Sequence, residues 1–317
     1  MSVKKRVLLT DPIAPEGEAT LACAAHVTCA PDSSADTLRR LAREADGVIT
    51  RSKLPDDIFE VAPSVRAVVV HGTGTDLVPL AAAAERGVTV ANLPGSNAQS
   101  VAEYCVMAML MLARNIVSVV ETLKAGTWDG ARTLGAGTHE IAAMTLGIVG
   151  VGEIGKRLAR ICRQGFGMRV LGNQRRLDRL PPEAEGRELR LLLQESDFVV
   201  VTCPLTPQTR HLFNRETLAL MKPTAWLINV GRGAVVQEQA LIAALREKRI
   251  AGAMLDVYEH YRLAPGHELF DLRNVILTPH FAGMTRESRA RMGVAAAEEM
   301  LRMLAGEAPR NLVHADR

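Results

Sequence analysis

Aromatic residues are scarce: Phe, Trp and Tyr together make up 3% of the 317 positions. That scarcity argues against the stacking platforms on which proteins hold single-stranded nucleic acid. It also leaves Ala, Val, Leu, Ile and Met to fill the core. An excess of one charge is missing too, since 38 Lys and Arg nearly balance 35 Asp and Glu, for a formal net charge of +3. Such a balance, by itself, points to neither a nucleic acid nor a membrane surface as partner. The five cysteines (Cys23, Cys29, Cys105, Cys162, Cys203) are odd in number, lack metal-ligand spacing and have no His cluster beside them. They read as reduced, buried, small apolar residues of a cytoplasmic protein, with no metal site. The first apolar run, residues 7–9, follows Lys4-Lys5-Arg6 and is too short for an export signal or a membrane span. A soluble, unexported protein is expected. No internal repeat or low-complexity segment is visible.

What the chain does have is apolar material, 48% of residues, in a length that suits two domains better than one core. Residues 7–9, 47–49, 67–70 and 88–91 read as buried parallel strands, with helices at 36–45 and 77–86 between them. Residues 97–125 read as one long apolar helix, capped by Asn97 and ended at Gly126, buried between domains or subunits. A membrane span is the weaker reading, because Glu103 and Arg114 interrupt the run. A second β/α series follows, with strands at 145–149, 169–171, 198–202, 225–229, 252–255 and 275–278. Its helices lie at 154–164, 189–195 and 237–247, and a last helix at 287–304 is expected to return to the first domain. The fold class is α/β, with two doubly wound parallel sheets.

Gly150-Val151-Gly152-Glu153-Ile154-Gly155 is a GxGxxG run that follows one of these strands and opens a helix. In that context the glycines have separate tasks. Gly150 permits the turn, Gly152 admits a pyrophosphate without a Cβ clash, and Gly155 lets helix and strand pack closely. The helix start, including Glu153 and Ile154, turns free amides and a positive dipole end toward the phosphates. About twenty residues on, a carboxylate ordinarily holds the adenosine ribose. Here the strand runs into Asn173-Gln174-Arg175-Arg176, with no Asp or Glu in place. A neutral amide backed by two guanidiniums suits a 2′-phosphate, so NADP(H) is favoured and NAD(H) possible. The plainer alternative is that Arg175, Arg176 and the nearby Arg179 decorate a solvated loop.

Further motifs stand in order along the whole chain: Gly72-Thr73-Gly74-Thr75-Asp76, Asn92-Leu93-Pro94-Gly95, Val101-Ala102-Glu103, Pro204-Leu205-Thr206-Pro207, Asn229-Val230-Gly231-Arg232-Gly233, Leu255-Asp256-Val257-Tyr258 and Thr278-Pro279-His280. With these the chain resembles the D-isomer-specific 2-hydroxyacid dehydrogenases, which include glyoxylate/hydroxypyruvate reductases and phosphoglycerate dehydrogenases. The resemblance implies a flavodoxin-like substrate domain (1–97 plus 286–317) and an inserted Rossmann NAD(P)-binding domain (98–285). It also implies a homodimer formed through the long helix and its following arm. Arg232 matches the arginine that holds the substrate carboxylate and polarises the 2-oxo group, a task for a rigid fork of donors. His280 matches the acid/base histidine, whose ordinary pKa suits proton exchange near neutrality. Thr73 and Gly74 match the loop whose amides meet the carboxylate. Arg51, Ser52 and Leu54 follow a strand end expected to line the same cleft. His71 lies there too and reads more readily as structural. Cys203, Pro204, Thr209, Val230 and Gly231 match the dinucleotide groove, and Asp256 a residue near the nicotinamide amide.

One position departs from the pattern. The family's histidine pairs with a glutamate five residues after the aspartate of the Leu-Asp-Val motif, and here that position is Tyr261. A carboxylate would favour the protonated ring and fix its tautomer; a phenol brings no charge. Three readings stay open: a Tyr261–His280 pair, a shift of Glu259 or His260 into the role, or a protein that binds dinucleotide without turnover, like the corepressors of this fold. Because Arg232 and His280 are both present, the sequence favours hydride transfer to a small 2-oxo acid such as glyoxylate or hydroxypyruvate.

Overall fold

The computed structural model describes residues 4–314. Residues up to Asn97, together with those from Met284 onward, form one compact unit, and Ala98–Gly283 form a second.

The first unit is built on five parallel strands: β1 (Lys5–Leu9), β2 (Ala25–Cys29), β3 (Gly47–Thr50), β4 (Ala67–Val70) and β5 (Thr89–Ala91). Their order is β2-β1-β3-β4-β5, the flavodoxin-like arrangement. β3 and β4 are buried at every position, which is why they read as continuous apolar runs. Alternation splits their side chains between two cores. Val48, Val68 and Val70 pack on one face with Leu38, Leu54 and Phe59. Ile49, Ala67 and Val69 pack on the other with Met292, Ala296 and Met300 of the last helix, Arg286–Leu304.

The second unit holds β6 (Thr145–Val149), β7 (Arg169–Asn173), β8 (Glu185–Gly186), β9 (Phe198–Val201), β10 (Trp226–Asn229), β11 (Gly252–Leu255) and β12 (Val275–Leu277). All pair in parallel, in the order β12-β11-β10-β9-β6-β7-β8. This is a Rossmann sheet, with the change of winding direction between β6 and β9. Helix Glu153–Phe166 ends where Gly167 takes a left-handed φ of 64°.

Several expectations need correction. The sheet has seven strands rather than six, because β8 is two exposed residues with no apolar pattern. In the first unit β2 was not marked as a strand; it is an edge strand buried only at Ala25. The single helix over 97–125 is instead Ala98–Ala113 and Ile116–Lys124, bent by 59°, followed by a further helix at Trp128–Gly135. The break falls at Asn115, whose φ of 46° is a left-handed conformation that asparagine tolerates better than most residues. Among the described residues no single helix is long and apolar enough to cross a membrane. Cys105, Cys162 and Cys203 are buried as expected, but Cys23 and Cys29 are exposed, at a helix end and on edge strand β2.

Candidate active site

Because the seven strands of the second unit are parallel, their carboxyl ends lie along one edge, where ligands bind in open α/β sheets. Six of the residues singled out in this half of the chain follow those ends: Gly150 after β6, Gln174 after β7, Cys203 after β9, Arg232 after β10, Asp256 after β11 and His280 after β12.

The turn after β6 has the form a phosphate cradle needs. Gly150 sits at φ 98°, and a Cβ there would meet the Cys203 backbone at 2.5 Å. Thr202 Oγ1 donates to Gly150 O at 2.5 Å and fixes the turn to β9. A Cβ on Gly155 would meet Gly150 O at 2.9 Å, whereas one on Gly152 would stand in open space. Gly152 caps helix Glu153–Phe166 with no side-chain hydrogen bond, and among the described residues no atom stands within 4 Å of where its Cβ would be. The residues present therefore fit a pyrophosphate. Glu153 is paired outward with Lys156 at 3.1 Å, and Ile154 is half-buried against the core.

At the end of β7 no carboxylate occupies the ribose position. Gln174 Nε2 donates to Arg176 O at 2.8 Å, and Arg175 is exposed. Arg176 is held bidentately by Asp178, at 3.1 and 2.7 Å. Thr209 Oγ1 donates to Pro204 O at 2.7 Å and accepts from Thr206 N at 2.7 Å, closing the loop after Cys203.

The Arg232 turn is braced by the first residue of its own motif. Asn229, buried at the end of β10, accepts from Gly231 N and donates to Arg232 O, both at 3.1 Å. Arg232 is half-buried, and one of its terminal nitrogens donates to Gly231 O at 2.9 Å. Gly233 lies so close to the Tyr258 and Glu259 backbone that any side chain would collide with it.

His280 is exposed and sits at φ 55°, a left-handed conformation costly for a non-glycine residue. The turn is over-determined by Asp256. His280 N donates to Asp256 O at 2.9 Å, Phe281 N to Oδ1 at 2.7 Å and Ala282 N to Oδ2 at 2.9 Å. Thr278 Oγ1 adds a bond to Oδ1 at 2.6 Å, and its partner at 2.6 Å is the Tyr104 hydroxyl. The Asp256 carboxylate, 1% exposed, is thus committed to the loop that carries His280. Tyr261 is 69% exposed and meets the His280 ring edge-on, centroids 6.0 Å apart. Glu259 is engaged elsewhere, its Oε1 2.7 Å from His211 Nε2.

In the first unit, Arg51 follows β3, its amide donating to Thr10 Oγ1 at 3.0 Å as Ser52 N does at 3.3 Å. Thr73 and Gly74 follow β4 in a turn that Asn92 Nδ2 grips at Thr73 O, 2.6 Å away. Leu54 is a correction: only 1% exposed, it is a core residue packed with Ile58, Phe59 and Val70, and lines no open surface.

Residues 106–282 match the family described as D-isomer specific 2-hydroxyacid dehydrogenase, NAD binding domain. The chain belongs to this family. It is an oxidoreductase that works with a nicotinamide dinucleotide. The dehydrogenase is 40% identical over 291 residues to a glyoxylate reductase of Aeropyrum pernix, covering 88% of this chain and 86% of the relative. It is 38% identical to glyoxylate/hydroxypyruvate reductase B of Yersinia pestis, covering 90% and 88%. A solved NADPH-dependent glyoxylate/hydroxypyruvate reductase from Sinorhizobium meliloti, in complex with NADP and malonate, superposes with a TM-score of 0.86 at 27% identity, covering 98% of this chain and 97% of that one. These kinships do not favour a dinucleotide sensor without turnover. Asn229 and Thr278 stand in their motifs without an expected role and Tyr104 stands in none, although a polar residue closing an apolar strand, as Asn229 does, is a signal for such a brace.

Proposed function

We propose that this dehydrogenase reduces small 2-oxo acids, glyoxylate and hydroxypyruvate foremost, with NADPH favoured over NADH. The observation that carries this reading is the row of groups on adjacent strand ends: Arg232 after β10, Asp256 after β11 and His280 after β12. When bound, the reduced nicotinamide supplies the hydride. Arg232 holds the substrate carboxylate and polarises the 2-oxo group, and His280 delivers the proton to the oxygen. Tyr261 orients the His280 ring without adding charge, and Asp256 keeps the His280 turn in place. The amides of Gly152, Glu153 and Ile154 receive the pyrophosphate, with Cys203, Pro204, Thr209, Val230 and Gly231 along the dinucleotide. Gln174, Arg175 and Arg176 receive the 2′-phosphate, for which Arg176 exchanges its Asp178 partner. Arg51, Thr73 and Gly74 are the further candidates for holding a substrate carboxylate.

We further infer a cytoplasmic homodimer. Helix Ile116–Lys124 buries none of its residues, although Ile116, Val120 and Leu123 form one apolar stripe.

The deciding experiment compares catalytic efficiency with NADPH and NADH across a panel of 2-oxo acids. A preference for NADPH of about tenfold or more, about 1.4 kcal/mol, is expected. A preference for NADH rejects the cofactor assignment, and no turnover of any 2-oxo acid rejects the function.

A further inference from the structure

β11 lies between β10, whose end leads to Arg232, and β12, whose end leads to His280. The chain leaving β11 thus starts between the two groups that the proposed reaction needs. The third residue past its end is Tyr258, which is half-buried. On one side its carbonyl lies against Gly233, the residue after Arg232, so closely that a Cβ on that glycine would collide with it. On the other, its hydroxyl donates to Thr278 O at 2.8 Å, two residues before His280, and lies 3.2 Å from Leu255 O. One residue therefore touches both turns, the first with its backbone and the second with its side chain.

The hydroxyl is not needed to satisfy those carbonyls. Leu255 O already accepts from Thr278 N at 3.0 Å, and Thr278 O from His280 N at 3.1 Å. A phenylalanine would pack the same ring without taking a polar group out of water, so what the hydroxyl adds is a fixed distance. Burial, and after it the Asp256 carboxylate, push its pKa up to about 12, so it stays a donor at every working pH.

The carbonyl it grips is well placed to pass that distance on. Thr278 O belongs to the planar peptide that ends at Pro279 N, and the proline ring locks the next torsion. A held Thr278 carbonyl therefore leaves one backbone torsion, ψ of Pro279, before the His280 amide. The Thr278 side chain is held as well, between the Tyr104 hydroxyl and Asp256 Oδ1, each at 2.6 Å.

We infer that Tyr258 is a positioning residue that sets the spacing between Arg232 and His280, so that a 2-oxo acid held by its carboxylate keeps its oxygen within reach of the proton donor. This rests on the reductase reading and adds a residue to it. A misplacement of about 1 Å can cost about 100-fold in rate, and loosening one of several holds costs less.

Tyr258→Phe tests the inference, because it removes one oxygen atom and leaves the ring, the contact with Gly233 and the other bonds to both carbonyls. With hydroxypyruvate, kcat is expected to fall about tenfold while the KM of the acid stays within about twofold, since the carboxylate still meets Arg232. The melting temperature stays within about 3 °C, and the solvent deuterium isotope effect on kcat grows as proton delivery becomes the slow step. An unchanged kcat overturns the assignment. So does a loss of kcat that comes with a raised KM for acid and cofactor alike or with a collapse in melting temperature, which marks general loosening. Amide hydrogen exchange gives a readout independent of turnover: in Tyr258→Phe a peptide covering 278–283 exchanges faster, and one covering 226–231 exchanges as in the wild type. Unaltered exchange in the first, or faster exchange in both, also overturns it. If the wild type reduces no 2-oxo acid, the reductase reading fails alone, and the exchange comparison still decides whether Tyr258 sets the His280 turn.

Discussion

Asp256 shows how little of a residue's task its motif reveals. Its motif matched a position near the nicotinamide, yet its carboxylate receives two consecutive amides and the Thr278 hydroxyl, and its own carbonyl receives His280 N. Asp256→Asn keeps the shape and turns one acceptor into a donor that faces a donor. Losing one such bond and leaving a buried amide unmet costs about 1–3 kcal/mol. We expect a lower urea midpoint and a kcat reduced by about tenfold or more, since the His280 turn is strained and depends on that clamp. Unchanged kcat would show that His280 holds its place without Asp256. His71 yields a prediction in pH. Burial, and after it Arg51, hold its folded pKa at about 4, below its ordinary value of 6.5, so the unfolded chain takes the proton more readily. Stability therefore falls as pH drops from about 6.5 toward about 4, by up to about 3 kcal/mol over the interval, and is untouched by this group above it. His71→Leu flattens that part of a melting-temperature profile; an unaltered slope would mean that the ring gains its proton freely in the fold. Both roles were hidden in the sequence for the same reason. Which atoms of a buried polar side chain are satisfied depends on partners 20 or more residues away.

At the scale of elements, the start of helix Glu238–Arg246 and the 256–268 loop are held together by crossed carboxylates. Glu259 Oε2 accepts Glu238 N at 3.1 Å, while Glu259 N donates to Glu238 Oε2 at 3.4 Å. Each carboxylate carries a histidine as well, His211 on Glu259 at 2.7 Å and His267 on Glu238 at 3.1 Å. This clasp explains why Glu259 is not the partner of His280. For the Glu259 carboxyl, burial works upward, but the Glu238 amide and His211 outweigh it and hold the pKa below its ordinary value. A lowered carboxylate stabilises the fold above its unfolded pKa, and that contribution disappears as pH falls through the folded pKa. Glu259→Gln is expected to cost about 1–2 kcal/mol at neutral pH, and less in acid, where the wild type has already lost the charge. Chemical denaturation at pH 7 and at successively lower pH follows the cost, and a cost that stays level to the acid end of the series excludes the charge as the cause. Strands buried on both faces and the glycine turn were legible because burial leaves an uninterrupted apolar run. Edge strands β2 and β8, with a single buried residue between them, leave no such trace. The break at Asn115 depends on one left-handed residue inside an otherwise apolar stretch.

For the whole molecule, the order of motifs carried the family and both sheets, because all of them except Val101-Ala102-Glu103 follow a strand and the strands fix the topology. Association is different, since an apolar helix reads alike whether a core or another chain covers it. Helix Ala98–Ala113 buries nine of its residues, and Tyr104, Cys105 and Met109 among them pack in the core of its own unit. Helix Ile116–Lys124 buries none, and leaves Ile116, Val120 and Leu123 each 39–44% exposed, with Trp128 at 65% just beyond. Fully burying one such aliphatic side chain is worth about 1.5–3 kcal/mol, so a stripe of this kind meeting its copy across a two-fold axis supports a stable dimer. A charge placed in the middle of that stripe must be desolvated on association or prevent it. Val120→Asp combined with Leu123→Asp is expected to convert a dimer to a monomer at micromolar concentration in light scattering after gel filtration. Far-UV circular dichroism and the melting transition of the isolated chain should hardly change, because neither residue belongs to the core. A wild type that is already monomeric under those conditions, or a double variant that stays dimeric, would remove this face as the contact between copies.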